Sequence, residues 1–477
     1  MTGWRLRLTF ICGLTLTLVF AAAIARPHHA VHADGPCDRY VLGIDASDTG
    51  DCSDEAHPCR SIQYAIDQAV HGDVLCVAKH VLAGPLVYEE TLAITKSITL
   101  NGAWDAMCVD PSDLTCSFTA IPCNPENVTI DAQGAGRPIS ITGSIAPVID
   151  CFTLTGGDAT GLGGSGPTGY DMGGGLYSGY ANTTVANCII RNNVASTGGI
   201  AWGGGLGFFQ GNSIVHNCLI RDNVASEASN GYGGGIYFRQ GSGTLEDSIV
   251  QNNTASTVSD GRGGGVAYHF GTLTMEGTTV RGNVANSDVI RSGYGGGVFL
   301  YGGGGSRLTN NVVEGNLLFG SGTGSGIYVY STELQMLHTT LANNSGGAGL
   351  GAHALAGATV EMTNTIVSSQ TVGVQASDPD TSTRTEGTLW WDTPVWGQAV
   401  GGATLQNVTP NVVAAPGFVN PGCGDFHINA GSAAIDAGIP CGVANDMDGD
   451  PRTMGAAPDL GADEYVRARV YMPMVLR

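Results

Sequence analysis

The chain has 477 residues, of which 74 are glycine and 13% are charged, and its formal net charge is −21. Such a large excess of negative charge repels phosphate backbones and anionic membrane surfaces. We therefore expect no nucleic-acid partner. The glycine content alone is typical of a disordered chain. A hydrophobic content of 42% is too high for one and predicts a folded protein.

The first 33 residues have the pattern of an export signal. Arg5 and Arg7 precede an apolar run over residues 8–25, and the small-residue sequence VHA ends at Ala33. This pattern predicts cleavage after Ala33, with AIA before Arg26 as a second choice. An uncleaved anchor is the alternative, because the run is nearly long enough to span a bilayer. We expect a secreted or cell-surface protein with no stable membrane insertion after the signal is removed.

The cysteine content also agrees with export. Cys12 lies within the signal, and twelve cysteines follow it. Seven cluster near the N-terminus and two near the C-terminus: Cys37, Cys52, Cys59, Cys76, Cys108, Cys116 and Cys123, then Cys423 and Cys441. An exported protein can form disulfides, and the spacing shows no repeated C-x-x-C zinc pattern. We therefore expect disulfide bonds, whose pairing the sequence does not specify.

Residues 34–75 are predicted to form an N-terminal cap that contains a helix. Ile62, Ala65, Ile66 and Ala69 recur at helical spacing and would form one apolar face. Such a helix could cover the open first coil of a repeat structure and protect its strand edges.

A ten-residue phrase then recurs along the chain. NCIIRNNVAS begins at Asn187, NCLIRDNVAS at Asn217 and DSIVQNNTAS at Asp247, and looser copies follow. A triple glycine precedes each copy, and the triplets begin at residues 173, 203, 233, 263 and 295, a period of 30 and then 32 residues. A fixed period in this range indicates a solenoid whose coils bury their faces by stacking on one another.

Each repeat is expected to consist of short strands. Ile and Val recur in runs that Gly and Asn interrupt, without a 3.6-residue stripe, which predicts strands and turns. Stacking then places equivalent residues in columns. One turn column contains Asn193, Asn223, Asn253, Asn283, Asn316 and Asn344, whose amides could bond from coil to coil. Cys188 and Cys218 fall in an inward column and are predicted to be small core residues; a disulfide between them is the alternative.

The motifs resemble those of a known superfamily. GGGIYF with SIVQNNTAS is similar to the GG-[ILV] and F-x-x-N repeats of polymorphic outer-membrane autotransporters. The stretch from Pro58 and the endings APGFVNPGCGDFHINAGSAAIDAG and DMDGDPRTMGAAPDLGADEY resemble those of exported bacterial β-helix proteins. The resemblance implies an all-β, right-handed parallel β-helix of the pectin lyase-like type, on an exported bacterial surface protein. The expected parts are the helix-containing cap at 34–75, the β-helix at 76–375, a closing block at 376–465 and a tail at 466–477.

The superfamily includes polysaccharide lyases and hydrolases, so the resemblance raises the question of catalytic residues. Arg191, Arg221 and Arg281 lie in one outward column, but only Asp222 and Asp247 are near them in sequence. The Asp-Asp, G-H-G and R-I-K motifs of polygalacturonase-like enzymes do not occur. We therefore interpret the arginines as a solvated ladder and predict no catalytic residue.

An outward strip beside the glycine triplets is the predicted ligand-binding site. By strand alternation, aromatic, Arg and His side chains should point outward there in two columns: Tyr177, Phe209, Tyr237, Arg239, His269, Phe299, Tyr301, Tyr328 and Tyr330. Aromatic rings can stack on sugars while charged groups bind hydroxyls or carboxylates. The alternative is that the long turns before each triplet fold over the strip and bury it.

A structural calcium ion is the one metal that the sequence suggests, and no other cofactor is expected. Asp446, Asp448 and Asp450 stand at alternate positions in DMDGDPR, and oxygen ligands at this density suit Ca²⁺. A polar terminal turn is the alternative interpretation.

Together these features predict a monomeric, non-catalytic extracellular or cell-surface protein that binds polysaccharide or a cell-surface glycan. A polysaccharide lyase or glycoside hydrolase that acts at the aromatic strip is the first alternative. A structural or adhesive surface protein is the second, because the fold supports several functions.

Overall fold

The structure, a computed structural model, describes residues 36–108, 115–164, 166 and 169–466. The predicted export signal lies outside the described residues, and so does the tail beyond residue 466. No helix of the described ranges is long and apolar enough to cross a membrane.

Three long stacks of parallel strands form the body of the molecule. The first stack follows the glycine triplets and contains Leu92–Ile94, Ile139–Thr142, Leu176–Gly179, Leu206–Phe209, Ile236–Glu246, Val266–Glu276, Val298–Gly303, Ile327–Tyr330, Leu350–Leu355, Val372–Ser377 and Val395–Val400. The second contains Arg39–Leu42, Val74–His80, Thr99–Cys108, Val148–Asp150, Thr184–Ala186, Asn212–His216, Ser306–Thr309, Glu333–Leu337, Thr359–Thr363, Ser382–Trp391 and Thr404–Val413, together with the second halves of Ile236–Glu246 and Val266–Glu276. The third contains Leu86–Tyr88, Val128–Asp131, Thr153–Thr155, Ile189–Arg191, Leu219–Arg221, Ile249–Gln251, Thr279–Arg281, Val312–Glu314, Thr340–Ala342 and Ile366–Ser368.

Two shorter sheets complete the repeating coils. The fourth stack contains Val194–Ser196, Val224–Ser226, Thr254–Ser256, Val284–Asn286, Leu317–Leu318 and Ser345–Gly346. The fifth, directly before the glycine triplets, contains Asp171–Met172, Ala201–Trp202, Gly231–Tyr232, Gly261–Arg262 and Gly293–Tyr294. Outside the stacks lie the helix Ile62–Gln68, the strand Cys116–Ala120, the hairpin strands Phe418–Asn420 and Asp425–Ile428, and the 3₁₀ turn Pro421–Cys423.

This arrangement confirms the predicted all-β, right-handed parallel β-helix. Pairing is parallel and in register at the spacing of the sequence repeat, as where Leu206 lies beside Ile236 and Ile236 beside Val266. These side chains are fully buried in the interior of the solenoid. The coils extend beyond the predicted boundary at residue 375, because strands Ser382–Trp391, Val395–Val400 and Thr404–Val413 continue the parallel pairing.

The glycine triplets allow the first and fourth stacks to approach each other closely. A Cβ added at Gly204 would lie 2.4 Å from the carbonyl oxygen of Gly234 and 2.4 Å from the carbonyl carbon of Val224. Gly203, one residue earlier, has φ +67°, a conformation that few other residues adopt readily. The repeated glycines are therefore explained by turn geometry and backbone proximity.

The predicted asparagine column forms a buried hydrogen-bonded ladder. Each side-chain Nδ2 donates to Oδ1 of the next asparagine at 2.9–3.0 Å, from Asn193 through to Asn344. The backbone N–H of each also donates to the same oxygen, as Asn193 N does to Asn223 Oδ1 at 3.1 Å. The left-handed position lies one residue earlier, at Asn192 with φ 55°. The ladder thus satisfies buried turn amides that have no strand partner.

Four disulfides fasten the N-terminal part of the solenoid: Cys37–Cys76, Cys52–Cys59, Cys108–Cys116 and Cys123–Cys151. Cys188 and Cys218 are buried thiols in one column and are not bridged. The backbone N–H of Cys188 donates to Cys218 Sγ, and that of Cys218 donates to Ser248 Oγ. These two cysteines therefore pack as small polar core residues.

The helix Ile62–Gln68 covers the first coil. Ile62, Ala65, Ile66 and Ala69 are buried and belong to the interior core, as the apolar spacing predicts. Ser61 caps the N-terminus, its hydroxyl accepting from Tyr64 N. Because the helix seals the end of the core, the strands beneath it are not left open to water.

The C-terminal block, residues 414–466, packs on the side of the coils rather than across their end. It contacts three residues at one turn column: Asn310, His338 and Asn364. Asn310 donates to Asn445 O and accepts from the buried Arg452, and Asn364 exchanges hydrogen bonds with the backbone of Ile439. Apolar contacts accompany these bonds, with Ile428, Ala434 and Leu460 against Ile366 and Leu389.

Replacing Asn223 by Ala should cost about 3 kcal/mol or more of unfolding free energy. The change leaves Asn193 N, Ile190 O and the amide of Asn253 short of buried hydrogen-bond partners. Urea unfolding followed by circular dichroism would measure the loss. Asn212→Ala is the matched control, since Asn212 is exposed and its loss should cost well under about 1 kcal/mol. Equal midpoints for the two variants would contradict the ladder's role.

His338 should make stability depend on pH. Its Nδ1–H donates to Asp459 O and its Nε2 accepts from Asn364, so the ring is bonded in its neutral form. Burial, and secondly Arg452, lower its pKa from 6.5 to about 3. The pKa of His338 is lower in the folded state than in the unfolded state. The contribution of His338 to the unfolding free energy is therefore present above pH 6.5 and is lost as the pH falls below that value. Between pH 6.5 and 5 we expect the unmodified protein to lose about 1–2 kcal/mol more unfolding free energy than the His338→Gln variant.

Thermal unfolding at several pH values would measure that difference between the variant and the unmodified protein. His57→Gln is the control, because His57 is exposed and lies far from the C-terminal block in sequence. If His338→Gln and the unmodified protein lose stability in parallel on acidification, His338 does not contribute to it.

Candidate functional site

The predicted aromatic strip lies on the outward side of the first stack, but most of it is covered. Tyr177, Tyr237, Phe299 and Tyr328 are 8%, 0%, 3% and 6% exposed, and Phe209 is 3% exposed. The expectation that these five rings face solvent is therefore wrong. They form a second apolar cluster, separate from the solenoid interior.

The fifth stack is what covers them. Met172, Trp202, Tyr232, Arg262 and Tyr294 are paired in register along it and lie over the outward face of the first stack. The Trp202 ring stacks on that of Tyr237, with centroids 5.0 Å apart and 25° between planes. We call this layer the aromatic roof. It forms because burying large rings on both sides removes apolar area from water.

The remaining strip residues, Arg239, His269, Tyr301 and Tyr330, are only partly buried and form the open edge of the cluster. We call these four residues the aromatic edge. Tyr301 and Tyr330 stack with centroids 5.0 Å apart and 11° between planes, and His269 lies 5.1 Å from Tyr301. Phe270 stands beside them, 46% exposed and edge-on to Tyr301. This edge presents flat rings and polar groups to solvent.

Polar atoms without partners cluster between the roof and the edge. Trp202 Nε1, Arg239 Nε and His269 Nε2 are buried and have no hydrogen-bond partner among the described residues. Their side chains are in contact: the Arg239 guanidinium lies 4.6 Å from the Trp202 ring centre, and His269 lies 5.3 Å from Tyr237. Such groups are usually satisfied in native proteins, so their concentration indicates a place for a polar ligand or ordered water.

Two guanidinium groups give this region a local positive charge. Arg239 lies over Trp202, and Arg262 lies over Tyr232 while its Nη1 donates to the Tyr232 hydroxyl at 2.9 Å. Burial, and then these two arginines, lower the pKa of His269 to about 3, so it is neutral at physiological pH. The same column positions carry no lysine or carboxylate; two acids lie nearby, Asp260, which accepts from Ser292 N, and Asp378, whose charge acts on Tyr328. The edge therefore suits hydroxyl or anionic groups.

The sequence indicated this cover only as the alternative, that the turns before the triplets fold over the strip, and did not single out the roof residues. Their signal was present, because Trp202, Tyr232 and Tyr294 each stand directly before a glycine triplet, in the same repeat position. The two-residue strands that carry them are too short for alternation to predict which way they face. Only the stacked coils show that this position lies over the first stack.

The other candidate residues fall in separate places. In the arginine column, Arg221 pairs with Asp222 at 2.5 Å and Arg281 bonds to Gln251 at 2.8 Å. Asp446, Asp448 and Asp450 come together, with carboxylate oxygens within 4.8 Å of one another. Asp446 accepts from three backbone N–H groups, of Asp448, Asp450 and Glu464, which is the pattern of a polar turn.

A family model and several solved structures are similar to this chain. A family model described as "Right handed beta helix region" matches residues 285–388. Similar solved structures include pectate lyase Pel9A, with 14% identity, a TM-score of 0.46, and coverage of 90% of this chain and 97% of that chain.

Two further solved structures are similar in the same limited way. One is the catalytic unit of the GH87 α-1,3-glucanase from Streptomyces thermodiastaticus strain HF3-3, with 15% identity, a TM-score of 0.40, and coverage of 81% and 72% of the two chains. The other is the A-module of mannuronan C-5 epimerase AlgE4 from Azotobacter vinelandii, with 13% identity, a TM-score of 0.33, and coverage of 79% and 100%. Such distant likenesses carry no argument about activity. No curated protein matches the chain.

Replacing Tyr237 by Ala should destabilise the protein by about 3–5 kcal/mol, because a fully buried ring between the coil and the roof is lost. Tyr330→Ala is the matched comparison, since its ring lies at the partly exposed edge, and it should cost clearly less. Urea unfolding of both variants would test this. Equal losses would mean that the roof does not bury Tyr237 more than the edge buries Tyr330.

Proposed function

We propose that this protein is a non-catalytic extracellular or cell-surface β-helix protein that binds polysaccharide at the aromatic edge. The observation that carries the proposal is the cluster of buried, unpartnered polar atoms around Arg239 and His269. Sugar hydroxyl groups could bond with these atoms, while the rings of Tyr301, Tyr330 and Phe270 stack on sugar faces.

The site proposed here is smaller than the strip expected from sequence. Ligand contact is assigned to Arg239, His269, Tyr301 and Tyr330, with Phe270 added beside them. The covered rings support these residues from beneath, because Phe299 and Tyr328 are stacked with centroids 5.3 Å apart and hold the edge in place. A rigid support of this kind reduces the entropy that binding would otherwise cost.

Secretion is part of the proposal. Four disulfides in one chain are typical of proteins that fold in an oxidising compartment. A monomer exposed outside the cell would meet polysaccharides directly, and its −21 charge would keep it soluble and away from nucleic acids.

A structural or adhesive surface protein is the second candidate, and the aromatic roof favours it. In that case the rings are a packing device, and the edge has no ligand. The two proposals differ in what they expect from the edge residues, so one set of variants separates them.

Tyr330→Ala and Arg239→Ala should each weaken binding to the recognised polysaccharide about 5- to 10-fold, since one stacked ring or one charged contact contributes on the order of 1 kcal/mol. Affinity electrophoresis of the purified protein across a polysaccharide panel would first identify the ligand and then measure the variants. The same mixtures should release no unsaturated or reducing products; their appearance would replace the binding proposal with a lyase or hydrolase.

Arg191→Ala is the matched control. Arg191 is also a partly buried, outward arginine whose Nε has no hydrogen-bond partner in the described part of the chain, but it lies on the third stack. It should bind like the unmodified protein. Absence of binding to every polysaccharide, or equal loss in Arg191→Ala and Arg239→Ala, would favour the structural protein.

A further inference from the structure

A second polar cluster lies in the C-terminal block, away from the aromatic edge. It borders a pocket of about 330 Å³ whose lining includes Asp425, His427, Asp463 and Glu464. Asp425 and His427 come from the strand Asp425–Ile428, whereas Asp463 and Glu464 come from the end of the block. Residues distant in sequence are thus brought to one cavity.

The imidazole of His427 lies between two carboxylates. Its Nδ1 is 2.6 Å from Asp425 Oδ1, and its Nε2 is 2.8 Å from Asp448 Oδ2. When Nδ1–H donates to Asp425, the Nε2 of the neutral ring is a lone pair pointing toward Asp448. At that distance Nε2 and Asp448 need a positive charge, which is supplied either by a second ring proton, with His427 an imidazolium that donates to both carboxylates, or by a metal ion between the two atoms.

Asp463 brings a third acid to the same point. It is 5% exposed, and Ile428 N donates to its Oδ2 at 2.7 Å. Its other carboxylate oxygen receives no hydrogen bond from the part of the chain that the structure describes. One nitrogen of His427 and one oxygen each of Asp448 and Asp463 lie within 4.8 Å of one another. One imidazole nitrogen and two carboxylates therefore converge at one point of the block.

The pattern around His427 is the one found at metal centres. A histidine that binds a metal through one ring nitrogen usually donates its other N–H to a carboxylate, which sets the tautomer and the ring orientation. Asp425 occupies that second position, on the side of the ring opposite Asp448 and Asp463. A simple group of acidic residues would not contain a histidine ring oriented in this way.

The backbone around the cluster is held by buried bonds. Arg452, 2% exposed, donates to the carbonyl oxygens of Ala462 and Asp463. Asp446 fixes the turn that carries Asp448 by accepting from Asp448 N at 2.9 Å. Ligands about 2.1 Å from a shared ion lie roughly 3–3.5 Å apart, so side-chain shifts of about 1 Å would suffice for coordination.

We propose that His427, Asp448 and Asp463 bind one divalent transition-metal ion, with Asp425 as the residue that orients His427. Imidazole nitrogen with two carboxylates suits Zn²⁺ or Mn²⁺ better than Ca²⁺, which takes six to eight oxygen ligands. The site differs from the calcium site expected from sequence, because it needs His427 and does not use Asp446 or Asp450. The ion would join the hairpin to the end of the block.

Isothermal titration calorimetry of the chelator-treated full chain with ZnCl₂, MnCl₂ and CaCl₂ would test this site. We expect one equivalent of Zn²⁺ or Mn²⁺ to bind, and His427→Ala to weaken it at least tenfold. Asp463→Asn should weaken it similarly, while keeping an oxygen for the bond from Ile428. Zn²⁺ or Mn²⁺ should also raise the melting temperature of the unmodified protein but not of these variants.

His57→Ala is the matched control, because His57 also lies 2.7 Å from an aspartate, Asp54, on the exposed surface. It should bind metal like the unmodified protein. If His427→Ala fails to fold, Asp448→Asn provides the same test from a partly exposed position. Binding that is absent, restricted to Ca²⁺, or equal in His427→Ala and His57→Ala would overturn the proposal. Polysaccharide binding is measured separately, so either proposal can fail without the other.

Discussion

In-register stacking of one coil on the next is the constraint on which the rest of this structure depends. Parallel backbone pairing places each residue beside its equivalent about 4.8 Å away, so any side chain must be compatible with copies of itself. Ile, Val and Leu meet this condition in the interior, where they pack as continuous columns. Asparagine meets it at the turn, where each amide both donates to and accepts from its neighbours.

The same stacking explains why the aromatic residues are found as a layer. A large ring on the outward face of one coil lies beside the rings above and below it, as with Phe299 and Tyr328. Where the first stack carries the small Gly207, the side chain of Met172 in the roof lies against it. Packing of this layer suits the rings but leaves several of its polar atoms without a hydrogen-bond partner among the described residues.

The C-terminal block also depends on the stacked columns, because it attaches to one of them. It docks on Asn310, His338 and Asn364, which occupy one turn column of successive coils and have left-handed backbone conformations. In the other coils this turn position is mostly Asn, Asp or Gly. In these three coils the same position also contacts the C-terminal block. The cluster of His427, Asp448 and Asp463 forms within the block itself, where the hairpin meets the later segment of the block.

The sequence by itself determined the β-helix, its repeat, the asparagine ladder and the capping helix. These follow from periodic residues whose roles repeat from coil to coil, so each copy supports the same interpretation. Whether Tyr237 was exposed could not be decided in this way. Alternation tells which side of a strand a residue occupies, but not whether another segment lies over that side. The short strand that carries Trp202 supplies this cover, and only the folded coils bring the two together. The group around His427 was hidden for a related reason, since its members lie on a hairpin and on a later segment that meet solely through tertiary packing.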